Sequence, residues 1–86
     1  MKIIFHKNFE KKHKKLPENI KAGVKDKISL FISDTYNPLL NNHSLNGKYL
    51  SYRSFNITSD IRIIYKLLDK ETAVLVEIGT HSKLYS

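Results

Sequence analysis

The sequence predicts an α+β domain: one strand, two helices forming a hairpin, then three strands, with a mostly antiparallel sheet packed on the helix pair. Three observations carry that expectation. Apolar residues recur at helical spacing from Ile20 to Ile32, they alternate at period two from Tyr49 to Leu68, and the connections between the later strands are short. At 86 residues the chain has room for one modest core, and 1–86 reads as a single domain with no linker and no internal repeat.

Residues 2–6 are apolar and β-prone, a first strand. Asn8 offers a cap for a short charged helix from Phe9 to Lys15, whose apolar contacts are Phe9 and Leu16. Pro17 suits the first turn of a second helix, where its missing N–H has no intrahelical partner to lose. Ile20, Val24, Ile28, Phe31 and Ile32 then form one apolar stripe, with Lys21, Lys25 and Lys27 on the other side, and the helix ends near Ser33 or Asp34. Residues 34–47 carry turn chemistry in Asn37-Pro38, Asn41-Asn42 and Asn46-Gly47 and read as loop. A strand spans Tyr49 to Phe55. In the next, Ile61, Ile63, Tyr65 and Leu67 face one way and Arg62, Ile64, Lys66 and Leu68 the other. Asp69-Lys70 turns the chain into a last apolar strand, Ala73 to Ile78, broken only by Glu77.

Charge bounds the partners. Fifteen Lys and Arg oppose eight Asp and Glu, a net charge of +7, with a pI near 9.7. Residues 1–27 hold nine lysines against Glu10, Glu18 and Asp26. Such a field attracts phosphate backbones without reading sequence, and it attracts an acidic protein equally well. No apolar run approaches the roughly 20 residues of a membrane span, and Ile3-Ile4-Phe5 is too short for a signal-peptide core, so a cytoplasmic protein is expected. The absence of cysteine excludes disulfides, thiolate catalysis and cysteine-based zinc sites. The carboxylates are scattered and no histidine pair has ligand spacing, so no metal or cofactor is expected. A nucleophile elbow for a Ser-His-Asp hydrolase is missing as well.

The residues left to carry chemistry lie in the C-terminal half. His81 follows the last strand, where Gly79 permits a sharp exit, and Tyr85 comes four residues later. Imidazole exchanges protons near neutral pH, and a phenol can stack on a base or offer its hydroxyl. His43 sits in the polar loop before Leu45 and Asn46-Gly47. Asp60 and Arg62, read as alternate residues of one strand, would share a face about 6–7 Å apart. There Arg62 would hold a phosphate by paired hydrogen bonds and Asp60 would orient a histidine or a ribose hydroxyl. A plain surface ion pair is the alternative. Tyr49 and Arg53, read on one strand face, would offer a platform for single-stranded RNA, cross-strand aromatic packing being the alternative. Lys48, Asn56, Lys66 and Lys83 complete the expected RNA-binding set. Histidine, aspartate, arginine and tyrosine are the residue types needed when a base activates a ribose 2′-OH, cations hold the developing charge, and an acid protonates the departing 5′ oxygen.

In order, His43-x-Leu45-x-Gly47, Tyr52-Arg53, Asp60-x-Arg62-x-Ile64-Tyr65 and Gly79-Thr80-His81-x-x-Leu84-Tyr85 resemble the RelE/ParE toxin superfamily, and most of all its YafQ branch. The resemblance spans most of the chain, including Leu16-Pro17 before the long helix. It implies a RelE-like fold and a toxin of a type II toxin–antitoxin system, monomeric within its complex. It also implies an mRNA interferase that cuts in the ribosomal A site and is neutralised by a cognate antitoxin. Carried over by residue, His43, Asp60 and His81 fall on catalytic positions and Tyr85 on an aromatic one. Arg62 sits where RelE relatives hold phosphate. Two departures matter: Asn56 stands where the branch often has a further histidine, and Ile61 where a tryptophan is expected. Asparagine cannot exchange a proton near neutral pH. Two other readings stay open, a catalytically weak or inactive relative that binds RNA or antitoxin, and a ParE-like inhibitor of DNA gyrase.

Overall fold

A computed structural model describes residues 1–85; Ser86, the last residue of the C-terminal segment singled out above, lies outside the described residues. The chain runs β1 (Lys2–Phe5), α1 (Lys7–Lys14), α2 (Glu18–Ser33), a 3₁₀ turn (Pro38–Leu40), β2 (His43–Ser44), a second 3₁₀ turn (Gly47–Tyr49), β3 (Arg53–Asn56), β4 (Ile61–Asp69), β5 (Thr72–Thr80) and α3 (His81–Leu84). The five strands form one sheet in the order β1-β5-β4-β3-β2. β1 runs parallel to β5 and every other pairing is antiparallel. The expected α+β, RelE-like architecture is therefore present, with one strand more than the sequence pattern shows. β2 is only two residues long, and its pairing with Arg53 and Ser54 creates it rather than any local propensity.

Both helix starts differ by a residue or two from the expected ones. His6, not Asn8, caps α1, because its ring Nδ1 accepts the Asn8 N–H at 3.1 Å. Pro17 is itself the cap of α2, its carbonyl accepting the N–H groups of Ile20 and Lys21. Ile32 is exposed instead of in the stripe. It lies one residue past buried Phe31, and one residue rotates a helical side chain by about 100°.

Strand alternation then divides the sheet. Phe55, Ile63, Tyr65, Ala73, Leu75 and Ile78 pack with Phe9 of α1 and Val24 and Phe31 of α2 into the main core. Phe31 stacks on Phe55 at 4.5 Å between ring centres and meets Tyr65 edge-on at 4.8 Å. On the opposite face Ile64 lies under Leu45 and Leu84, fringed by Tyr49, Tyr52, Val76 and Tyr85. This second, smaller cluster explains why β5 is apolar on nearly every residue: both its faces are covered. Among the described residues no helix is long and apolar enough to cross a membrane.

Candidate active site

The face opposite α1 and α2 collects the chemistry. Two rows of paired residues cross it. His43 pairs with Ser54, Ser54 with Ile64 and Ile64 with Glu77; one step along, Asn56 pairs with Arg62 and Arg62 with Gly79. Paired residues of antiparallel strands share a face. His43 and Glu77 thus stand three strands apart, roughly 14 Å between backbones at about 4.8 Å per strand.

β5 ends at Thr80, whose hydroxyl accepts the Lys83 N–H at 3.3 Å and caps the one-turn helix α3. His81 opens that helix, and its ring lies 4.6 Å from the Tyr85 ring one turn on. Gly79 packs beside Leu84, and a Cβ there would meet it at 3.5 Å, an ordinary contact, so the exit does not require glycine. Asp60 corrects an expectation: it lies in the bend before β4, not on the strand, so alternation does not place it beside Arg62. Thr58 Oγ1 accepts the Asp60 N–H at 3.2 Å and so holds the bend. The Asp60 carbonyl in turn accepts the His81 N–H at 3.3 Å, which makes Asp60 a neighbour of His81. Among the described residues no ion pair joins Asp60 to Arg62.

Tyr49 corrects a second. Gly47 at φ 65° and Ser51 at φ 79° wind the chain, so Tyr49 ends a 3₁₀ turn and β3 begins only at Arg53. Tyr49 and Arg53 therefore share no strand face. Tyr49 instead meets Tyr52 and Tyr85 edge-on at 6.1 and 5.8 Å. Burial, and then the Glu77 carboxylate, raise its phenol above the ordinary 10.0. Lys48 reaches over the Tyr49 ring and Lys66 over the Tyr52 ring, each at 5.3 Å. Arg53 corrects a third: it pairs with the core residue Tyr65, so it lies on the other side of the sheet from Asn56 and Arg62. There it donates its Nε–H to Asn42 Oδ1 at 2.9 Å and lies 5.4 Å from the Tyr36 ring. Lys83 is exposed on α3.

Among the described residues, four buried side-chain atoms have no protein hydrogen-bond partner: Ser54 Oγ, Asn56 Oδ1, Arg62 Nε and Tyr85 Oη. Buried polar atoms are normally paired, so a cluster of unpaired ones marks a place where something else supplies the partner. Three of the four belong to the two rows above, and Tyr85 lies beside His81.

The chain matches, over residues 1–86, the family model described as the bacterial toxin of type II toxin–antitoxin systems, YafQ. It belongs to this family. Solved structures agree with the YafQ assignment in fold. The crystal structure of YafQ from E. coli strain BL21(DE3) superposes with a TM-score of 0.82 at 24% identity, covering 98% of this chain and 97% of that one. YafQ in the E. coli DinJ–YafQ toxin–antitoxin complex gives 0.79 at 25% identity, covering 98% and 96%. A YoeB/ParE toxin from Agrobacterium tumefaciens gives 0.78 at 16% identity, covering 94% and 99%. No curated protein matches the sequence significantly.

A groove of about 810 Å³ lies between α1 and α2, lined by Phe5, Phe9, Val24 and Ile28 among others. None of the candidate residues lines that groove. Among the described residues no three His, Asp or Glu side chains converge as metal ligands. Asn42 ties three separate segments together without any mark in the sequence pattern. Its Nδ2 donates to Thr35 O at 2.9 Å and to the buried Tyr65 hydroxyl at 2.7 Å, and its Oδ1 takes the Arg53 bond. Asn41-Asn42 reads as turn chemistry, and only the fold reveals what the second amide grips.

Proposed function

We propose that this toxin is a ribosome-dependent endoribonuclease that cuts mRNA in the A site by 2′-OH attack on the adjacent phosphate. The observation that carries the reading is the buried Arg62 Nε–H, without an acceptor among the described residues, on a strand between the one that holds His43's partner Ser54 and the one that leads to His81. A guanidinium donor left without a protein acceptor suits a phosphate, and charge developing on that phosphate strengthens the bond in the transition state. His43 and His81 share the acid–base work from opposite sides of the face, Asp60 assists from beside His81, and Tyr85 positions the base or the leaving group. Lys48, Tyr49, Asn56, Lys66 and Lys83 line the path of the strand, with lysines neutralising phosphates and tyrosines stacking on bases. A cognate antitoxin covers the toxin and silences it in the cytoplasm; the E. coli DinJ–YafQ complex supports such a partner.

Cleavage mapped at nucleotide resolution on programmed ribosomes tests this, with wild type and His81→Ala run with and without ribosomes. Cuts confined to the A-site codon and lost in the variant are expected. A folded wild type that binds RNA in a salt-sensitive way and cuts nothing favours the second reading, an inactive relative that only binds RNA and antitoxin. Asn56 is the observation behind that second reading, because its amide accepts and donates hydrogen bonds but carries no exchangeable proton near neutral pH.

A further inference from the structure

We infer that the Asn41 carbonyl holds His43 in the tautomer protonated on Nδ1, which leaves the lone pair on Nε2. Asn41 is thereby a positioning residue for His43. The catalytic half of the inference rests on the nuclease reading; the tautomer does not.

The geometry is specific. His43 Nδ1 lies 2.8 Å from the Asn41 carbonyl oxygen. A carbonyl oxygen only accepts, so the hydrogen of this bond belongs to Nδ1. In the neutral ring Nε2 then carries a lone pair, and it has no hydrogen-bond partner among the described residues. For a free histidine in water the opposite tautomer, with the proton on Nε2, prevails, so the fold has to impose this one. It does so by a chain of local devices. Asn37 caps the 3₁₀ turn by accepting the Leu39 N–H at 2.9 Å, and fully buried Leu40 anchors that turn in the core. Asn41 closes the turn in the left-handed region, at φ 47° and ψ 48°, with its N–H on the Pro38 carbonyl. Asparagine tolerates that conformation better than any β-branched residue. The next residue, Asn42, is clamped by Thr35, Tyr65 and Arg53. His43 itself is paired with Ser54 in β2. The backbone is therefore held on both sides of the Asn41 carbonyl, and the imidazole meets an oxygen whose direction is set. This is the arrangement by which a second group selects which histidine nitrogen is free to work.

His81 has no comparable hydrogen-bonded orienter among the described residues; its ring contact is with Tyr85. The two histidines thus differ in kind. One is a tautomer held by a backbone carbonyl, and the other sits beside a phenol on an exposed one-turn helix.

The test is ¹⁵N NMR of histidine-labelled toxin above the imidazole titration, with His43→Gln identifying the His43 signals. The expected result is a protonated-type Nδ1 and an unprotonated-type Nε2 for His43. An Nε2–H tautomer overturns the inference whatever the cleavage assay shows. Asn41→Gly keeps the left-handed turn and the carbonyl, and should keep the tautomer. Asn41→Val disfavours that backbone, and should mix the tautomers and lower A-site cleavage at least about tenfold, a wrong tautomer costing more than that in other acid–base sites. If Asn41→Val does not fold, Asn42→Ser serves instead, with the same direction expected. A shifted tautomer with cleavage within twofold of wild type refutes the positioning role. Wild type that holds the tautomer but cuts no RNA counts against the nuclease reading alone.

Discussion

The two faces of the sheet answer opposite demands. Toward α1 and α2, rings and aliphatic chains interlock, and the one deep hydroxyl, that of Tyr65, is hydrogen-bonded to Asn42. Toward the candidate site, Ile64 is as deeply buried as Ile63 behind it, yet Ser54, Asn56, Arg62 and Tyr85 keep polar atoms out of water with no partner among the described residues. Neighbouring residues of β4 make the contrast directly, since Ile63 and Tyr65 complete a core while Arg62 and Ile64 floor a site. A face built for stability pairs what it buries; a face built to receive a ligand leaves pairs open at a cost in stability.

That contrast can be broken most forcefully from the core. Phe31→Ala removes a fully buried ring stacked between Phe55 and Tyr65, and should lower unfolding free energy by about 3–5 kcal/mol in urea titrations. Any cleavage lost should track the unfolded fraction. His81→Ala should do the reverse. Single-turnover cleavage should fall on the order of 10²-fold, about 2.7 kcal/mol in the barrier. Stability should stay within about 0.5 kcal/mol, because the ring is exposed.

Alkaline unfolding compares the faces through one residue type. Burial raises both the Tyr65 and the Tyr49 phenols above their ordinary 10.0. In the unfolded chain these phenols ionise first while the folded ones keep their protons. Stability is therefore fully present below about pH 10 and declines as pH rises through the folded values. Thermal midpoints should fall steadily above pH 10, and Tyr49→Phe should blunt the fall. The smallest effect should come from Tyr85→Phe. Deleting a buried hydroxyl without a partner should leave stability unchanged or raise it by up to about 1 kcal/mol, with cleavage reduced less than tenfold. A marked loss of stability would mean that the hydroxyl is paired in solution and that the face is not held open there.

Much of this was legible in residue order. The stripe through Val24 and Phe31 gives the long helix its buried face, and alternation in 61–68 assigns Ile63 and Tyr65 to the core and Arg62 and Ile64 to the other side, as observed. Gly79-Thr80-His81 marks the strand exit. Alternation also misleads where strands stop: Tyr49 and Asp60 lie beyond strand ends, in turns set by Ser51, Gly47 and Thr58. Composition, periodicity and motif order thus determine the fold class, the family and the residues able to move a proton or hold a phosphate, because side-chain chemistry and the 3.6 and 2.0 residue periods are local properties. Tertiary structure alone decides that His43 belongs to a fifth strand, that Asn42 grips Tyr65 and Arg53, and that Arg62 Nε is left unpaired among the described residues. Those facts depend on which distant backbone comes alongside, and no local pattern encodes the neighbour that a strand edge or a buried amide will meet.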